Sequence, residues 1–317
     1  MVSIDDVRTA AVRLHGVTVR TPLLRADALD AICGGQIWLK PECLQRTGSF
    51  KIRGAYNRLA AMTAAERARG VVAFSSGNHA QGVALAARLL GIDATIVMPS
   101  DAPGVKVDAT RDYGADVVFY DRYTEDRAAI ATRLAAVTGA TVVPSYDDPH
   151  IVAGQGTAGL EVAEQLTAAG VVADLALVCC GGGGLASGFA LGSGLPVITV
   201  EPTGYDDVAR SLSGGAIVPV DSPRATICDA LQTLVTVPLT FDILRDHGTT
   251  GVAVTDAEAA QAVGFAFRTL KLVVEPGGAV ALAAALTGRV DLRGKTAVVV
   301  LSGGNVDADI FAHCLAA

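Results

Sequence analysis

Long apolar runs are missing from this chain of 317 residues. Its hydrophobic fraction is 51% and its mean hydropathy +0.43. Even so, Asp, Glu, Arg or Gly interrupts every apolar stretch well short of the roughly 18 residues that a membrane helix needs. Asp5, Asp6 and Arg8 fall where a signal peptide would need its apolar segment. Charge is also scarce, at 18% of residues, and the excess is acidic: 25 Lys and Arg against 32 Asp and Glu, a net charge of −7. A binder of nucleic-acid backbone needs the opposite sign. The six cysteines form no C-x-x-C pair, and Cys179 and Cys180 are adjacent, which excludes a zinc ribbon or a disulfide framework. The five histidines show no H-x-x-x-H spacing, so a zincin-type site is excluded too. The expectation is a cytoplasmic enzyme acting on small molecules, with neither nucleic acid nor membrane as a partner.

Present instead is a regular alternation. Apolar, β-branched runs at Ile37–Lys40, Val71–Phe74, Ala94–Met98, Asp116–Tyr120, Thr141–Val143, Leu175–Cys179, Pro196–Val200 and Ala297–Leu301 read as strands. Between them, Ala80–Leu90, Glu125–Val137, Gly159–Ala168 and Ala257–Lys271 carry apolar residues at helical spacing. Near-continuously apolar strands alternating with helices imply an α/β chain, its parallel sheets covered on both faces. The pattern divides into a smaller block, residues 47–142, and a larger one, residues 1–46 plus 143–317. Two such sheets would place their strand C-termini, and hence a ligand, along a shared cleft.

Four strand-end loops then attract attention. In Gly48-Ser49-Phe50-Lys51, Ser49 would cap a helix starting at Phe50, and the positive helix end would depress the amine pKa of Lys51, as a Schiff-base lysine requires. In Ser75-Ser76-Gly77-Asn78-His79, free N–H groups after a strand suit a carboxylate, although an ordinary cap at Ser76 or Asn78 reads equally well. Gly181-Gly182-Gly183-Gly184-Leu185 lets backbone approach a phosphate closely. That loop alone also fits a dinucleotide fingerprint, with Glu201 ending the next strand, so an NAD-dependent dehydrogenase is a rival reading. Ser302-Gly303-Gly304-Asn305 is a fourth glycine turn after a strand.

Together, in this order and spacing, the four loops resemble those of the serine/threonine dehydratase and serine racemase family, pyridoxal 5′-phosphate enzymes of fold type II, with the tryptophan synthase β-like architecture. The resemblance runs from about residue 15 to residue 310. It implies two domains, each an open, twisted, mostly parallel sheet flanked by helices, and commonly a homodimer. It also implies that Lys51 carries the cofactor and shuttles the substrate α-proton, with Phe50 beside the ring. Asn78 would bond the ring's 3′-oxygen, and Ser302 the pyridine nitrogen. Gly181, Gly182, Gly183, Gly184 and Leu185 would hold the phosphate. Ser75, Ser76, Gly77, Asn78 and His79 would surround the substrate carboxylate. The NAD reading explains one loop, whereas pyridoxal phosphate uses all four.

The implied reaction is elimination of water from a small β-hydroxy-α-amino acid, serine or threonine first, giving a 2-oxo acid and ammonia. Two further features modulate it. Ser76 stands where racemising members carry serine, which opens serine racemisation. Pro144-Ser145-Tyr146-Asp147 replaces the usual His-Pro-Phe-Asp, and Arg127 aligns with an arginine near the substrate. Arg127 with the hydroxyls of Ser145 and Tyr146 would accept a second carboxylate, making 3-hydroxyaspartate an alternative substrate; a solvated Arg127 is the plainer reading. Finally, Glu201, the carbonyl of Tyr205 and Asp207 resemble the family's divalent-cation site, an oxygen set suited to Mg²⁺, Mn²⁺ or Ca²⁺.

Overall fold

The eight runs expected to be strands are strands, with small boundary shifts, and two more join them. A computed structural model describes residues 2–75, 77–102 and 104–317. The strands are β1 (Leu24–Arg25), β2 (Gln36–Pro41), β3 (Val71–Phe74), β4 (Ala94–Pro99), β5 (Asp116–Tyr120), β6 (Thr141–Val142), β7 (Leu175–Cys179), β8 (Val197–Pro202), β9 (Thr250–Val254) and β10 (Thr296–Leu301). They form a six-stranded sheet, order β1-β2-β10-β7-β8-β9, and a four-stranded sheet, order β5-β4-β3-β6. Every pairing is parallel except β1 with β2. The smaller sheet draws all its strands from residues 71–142.

Side-chain alternation explains why the strands read as continuous apolar runs. On β10, Ala297, Val299 and Leu301 enter one core cluster, while Val298 and Val300 enter the cluster on the opposite face. On β4, Ile96 and Met98 face one way and Val97 the other. Each buried Val or Ile side chain contributes about 1.5–3 kcal/mol relative to exposure, so both faces must be covered. No helix among the described residues is long and apolar enough to cross a membrane.

Two helix crossings position the loops. The helix Pro149–Ala168, capped by Asp148, lies so close to the helix Gly184–Ser193 that a Cβ on Gly192 would sit 2.1 Å from the carbonyl of Gly156. A Cβ on Gly188 would similarly fall 2.3 Å from the carbonyl of Val152. Against its other side packs the helix Lys51–Ala60, where a Cβ on Gly154 would meet the Arg53 carbonyl at 2.6 Å. Bare backbone at these crossings therefore joins the lysine loop and the tetraglycine turn through one shared helix.

Candidate active site

All four loops leave the C-terminal ends of strands or their extensions, and they are tied directly to one another. Ser49 and Gly303 form an isolated antiparallel bridge. The Phe50 N–H donates to the Ser302 carbonyl at 3.2 Å, and the Gly304 N–H to the Gly48 carbonyl at 2.8 Å. Asn305 Nδ2 donates to the Thr47 carbonyl and to Asn78 Oδ1, both at 2.7 Å. Loops distant in the chain thus meet at one place.

Lys51 opens the helix Lys51–Ala60, and one local expectation needs correcting. The residue before the helix is Phe50, already at helical dihedrals (φ −57°, ψ −18°), so the extended Ser49 stands where a cap would, yet its side chain makes no capping hydrogen bond. Its hydroxyl is buried without a hydrogen-bond partner. The Lys51 amine is indeed depressed, to about 8, with desolvation as the leading cause and the Glu275 charge opposing it. The amine donates to the Ser145 carbonyl at 3.2 Å and lies 5.1 Å from the Phe50 ring centre.

Beyond β3, the helix Asn78–Leu90 begins after Gly77, with Asn78 as its first residue rather than its cap. The Gly77 N–H donates to Ser75 Oγ at 3.1 Å. Ser76, expected here as a catalytic and carboxylate-binding residue, lies outside the described residues. His79 can border a substrate carboxylate through its backbone but not through its ring. Its Nε2 bonds the Val143 carbonyl at 3.0 Å, and burial, aided by the Lys51 charge, pushes its pKa down to about 3. A neutral ring donating from Nε2 has only a lone pair at Nδ1, so its side chain cannot donate to a carboxylate. What His79 offers is its backbone N–H in the first helical turn.

The tetraglycine turn follows β7. Gly183 sits at φ +91°, and a Cβ on Gly182 would fall 2.5 Å from the Tyr146 ring. The hydroxyls of Thr240 and Thr236 donate to the Gly182 carbonyl at 2.8 and 3.4 Å, leaving the turn's N–H groups at the start of the helix Gly184–Ser193. This is a cradle for an anion: bare backbone, a helix N-terminus and no room for side chains. Leu185 is buried in the first turn. Ser302, also buried, has its main chain committed to Gly278 and Phe50, which leaves its hydroxyl to offer. An amine of depressed pKa, an anion cradle and a neutral serine fit an aldehyde-bearing phosphate cofactor.

The substrate-side candidates behave unevenly. Tyr146 lays its ring along the glycines, but its hydroxyl donates to the Val235 carbonyl at 3.2 Å, so the expected use of that hydroxyl for a second carboxylate does not hold. Arg127 is exposed at the start of the helix Arg127–Thr138, its guanidinium 5.6 Å from the Phe74 ring that leads into Ser75. Two charged residues were missed by the sequence reading. Glu275, buried before the helix Pro276–Leu286, accepts from Asn78 Nδ2, and Lys106, from the helix Gly104–Asp112, bonds Asp229 and lies against Gly77. Their only signals were a Glu-Pro pair before a helix and the scarcity of lysine.

Glu201 and Asp207 are both buried. Glu201 accepts one N–H on each oxygen, from Val208 and Ala209 at 3.1 and 2.8 Å, and is wholly enclosed, so a ribose cannot reach it and the dinucleotide reading of that residue fails. Asp207 accepts from the Thr236 N–H at 2.8 Å, while its Oδ1 is buried with no partner. Burial raises both carboxyls, Asp207 to about 6. Among the described residues, no group of three or more His, Cys, Asp or Glu gathers as a metal cage. A site of two carboxylates and the Tyr205 carbonyl would be smaller than that, and the orphaned Asp207 oxygen fits one.

Comparison with known proteins agrees with this geometry. The family model described as "Pyridoxal-phosphate dependent enzyme" matches residues 15–303. An L-threo-3-hydroxyaspartate ammonia-lyase from a Pseudomonas species is 48% identical over 318 residues, covering 99% of this chain and 98% of its own. An L-threonine ammonia-lyase from Thermotoga maritima is 41% identical over 315 residues, covering 98% of this chain and 77% of its own. The solved serine racemase of maize superposes with a TM-score of 0.93 at 35% identity, covering 99% of this chain and 97% of that one.

Proposed function

The chain belongs to the family of pyridoxal-phosphate dependent enzymes, and from that we propose an ammonia-lyase that removes water from a small β-hydroxy-α-amino acid, with L-threo-3-hydroxyaspartate the preferred substrate. The products are the corresponding 2-oxo acid and ammonia. When bound, pyridoxal phosphate supplies the electron sink that makes an α-proton removable. The protein's own residues do the rest. Lys51, with its amine near 8, is unprotonated in about a tenth of molecules at pH 7 and serves as both nucleophile and proton carrier. The N–H groups of Asn78 and His79, with Gly77 and Ser75 beside them, orient the substrate carboxylate at a helix N-terminus. Gly181, Gly182, Gly183, Gly184 and Leu185 would hold the phosphate, Asn78 would meet the 3′-oxygen, and Phe50 would flank the ring. Ser302 would meet the pyridine nitrogen with a neutral hydroxyl, which offers no carboxylate to hold a proton there.

What supports the dicarboxylic substrate is Arg127, an exposed cation at the lip of β3, together with the 48% identical hydroxyaspartate lyase. A guanidinium–carboxylate pair discriminates because leaving either group alone is costly. The test is turnover of L-threo-3-hydroxyaspartate, L-serine and L-threonine by the purified holoenzyme. Arg127→Ala should lower kcat/KM for hydroxyaspartate by about tenfold or more and leave serine within about threefold; equal losses on both overturn the dicarboxylate preference. Racemisation of serine is a second reading, favoured by the close superposition on maize serine racemase. There, Ser76→Ala should abolish racemisation while elimination persists.

The proposal extends to the surroundings. Residues 47–142 form the smaller domain and 1–46 plus 143–317 the larger, a division supported by the strand sources of the two sheets. A divalent cation, Mg²⁺, Mn²⁺ or Ca²⁺, would sit at Asp207, Glu201 and the Tyr205 carbonyl, supported by the orphaned Asp207 oxygen. A homodimer is proposed from the family resemblance alone, and six free cysteines suit the reducing cytoplasm.

A further inference from the structure

The side-chain amide of Asn78 has two ends of nearly equal shape and opposite chemistry, an acceptor oxygen and a donor nitrogen. Its neighbours distinguish them. Asn305 presents a donor: its Nδ2 gives one hydrogen to Asn78 Oδ1 and the other to the Thr47 carbonyl, each at 2.7 Å. Glu275 presents an acceptor, its Oε1 receiving from Asn78 Nδ2. Rotating the amide by half a turn would set nitrogen against nitrogen and oxygen against carboxylate. Both contacts would then repel, so one orientation is fixed.

The clamp is built into the loops that meet at the site. Glu275 is 1% exposed and its backbone N–H donates to the Gly303 carbonyl at 3.0 Å. Gly303 is bare because a Cβ there would fall 2.2 Å from Glu275 Oε1 and 3.1 Å from Asn78 Nδ2. The other Glu275 oxygen is buried with no hydrogen-bond partner. A buried carboxylate only half satisfied weakens the fold compared with an apolar side chain of similar size, so packing does not account for it.

We propose that Glu275 and Asn305 are positioning residues that lock the Asn78 amide in one orientation, so that one Nδ2 hydrogen is held by Glu275 and the second faces the cofactor's 3′-oxygen. This rests on Asn78 being a ring contact, as proposed above. Glu275 also lies within electrostatic reach of Lys106, Asp229, Lys51 and Cys43. A purely electrostatic role is therefore the competing account, and the two differ in what they demand of the side chain. Locking needs an acceptor; electrostatics needs a charge.

The experiment uses the reconstituted holoenzyme and reads the affinity for pyridoxal phosphate by fluorescence titration, the cofactor's visible absorption maximum, and kcat separately from KM. Glu275→Leu removes the acceptor, and Asn305→Asp replaces the donor by a second acceptor. Each should weaken cofactor binding about tenfold, displace the absorption maximum and lower kcat more than KM changes. Glu275→Gln keeps an acceptor without charge and should stay within about threefold of the parent in affinity. In an Asn78→Ala background neither Glu275→Leu nor Asn305→Asp should have a further effect. If Glu275→Gln is as damaging as Glu275→Leu, or if the losses add fully to that of Asn78→Ala, the lock is wrong. If Asn78→Ala alone leaves affinity and absorption unchanged, the ring contact itself fails, and the lock with it. Should Glu275→Leu not fold, Asn305→Asp, on the less enclosed side, carries the same test.

Discussion

Arg53 and Glu42 face each other with no solvent contact on either side chain, joined by bonds of 2.7 Å from Nε and 2.8 Å from Nη2. Glu161 accepts from the same guanidinium and also from the buried ammonium of Lys40. Arg53 follows Lys51 by two residues, so this cluster braces the start of the lysine helix. Replacing Arg53 by Met should lower stability by about 3–5 kcal/mol, because carboxylates remain enclosed without their partner. Urea denaturation of the apoprotein reads the loss. Burial opposes the charge on Glu42, but Arg53 outweighs it and the carboxyl ends below its ordinary 4.5. Its contribution is therefore complete above that value and disappears as pH falls through the folded pKa.

Two groups at the site should leave opposite marks on apoprotein stability. Glu275 is pushed from 4.5 to about 7, chiefly by burial. Between those values the folded chain keeps a proton that the unfolded chain has lost, so stability falls as pH rises. Lys51 is lowered from 10.5 to about 8 by desolvation, so over that interval the unfolded chain holds the extra proton and stability rises with pH. Denaturation at spaced pH values should show the first slope removed by Glu275→Gln and the second by Lys51→Met. Unchanged slopes would refute both assignments.

Gly182→Ala should drive its new methyl group into the Tyr146 ring, 2.5 Å away. Either the ring or the turn must shift, and affinity for pyridoxal phosphate is expected to drop about tenfold. Gly214, where a Cβ meets nothing within 4 Å, is the control: its alanine variant should bind the cofactor as the parent does. Fluorescence titration of both decides the matter.

Added Mg²⁺, Mn²⁺ or Ca²⁺ should raise the thermal midpoint of the parent protein, since an ion held only by the folded state stabilises it by mass action. Asp207→Asn, which keeps the shape but removes the charge at the orphaned oxygen, should abolish the rise. A midpoint that responds equally in both proteins would remove the cation from this site.

How far the sequence carries depends on whether a feature is local. Gly181–Gly184 was legible because strand, glycine turn and helix start are consecutive in the chain, and Lys51 because a glycine turn runs straight into its helix. Most of the eight strands were legible because both faces are buried, as on β4, β7 and β10, while β5 and β6, at the edges of the smaller sheet, were legible from their β-branched and aromatic residues alone. β9 was missed: it is an edge strand, largely half-buried, with Gly251 inside it, and a Cβ at that glycine would clash with Ala209 and Thr199. β1 was missed because two residues carry no periodicity. The Ser49 cap failed because nothing in the sequence says where a hydroxyl will point: the residue is extended before Phe50, but its buried hydroxyl meets no helical N–H. Glu275, Lys106 and the commitment of the Tyr146 hydroxyl to Val235 depend on partners far along the chain, and a polar residue in a sequence does not announce that it will be enclosed.

The bare crossing of Gly188 and Gly192 on Pro149–Ala168 has a consequence for how such an enzyme changes its diet. The anion turn is bolted to that helix through main-chain atoms, so substitutions there break the anchor before they alter taste. New substrates would be won on the opposite bank, around Phe74 and Arg127, where an exposed side chain would meet the part of the visitor beyond its carboxylate. A library aimed at those positions should yield altered preferences with the cofactor still in place, while one aimed at the glycines should yield mostly empty protein.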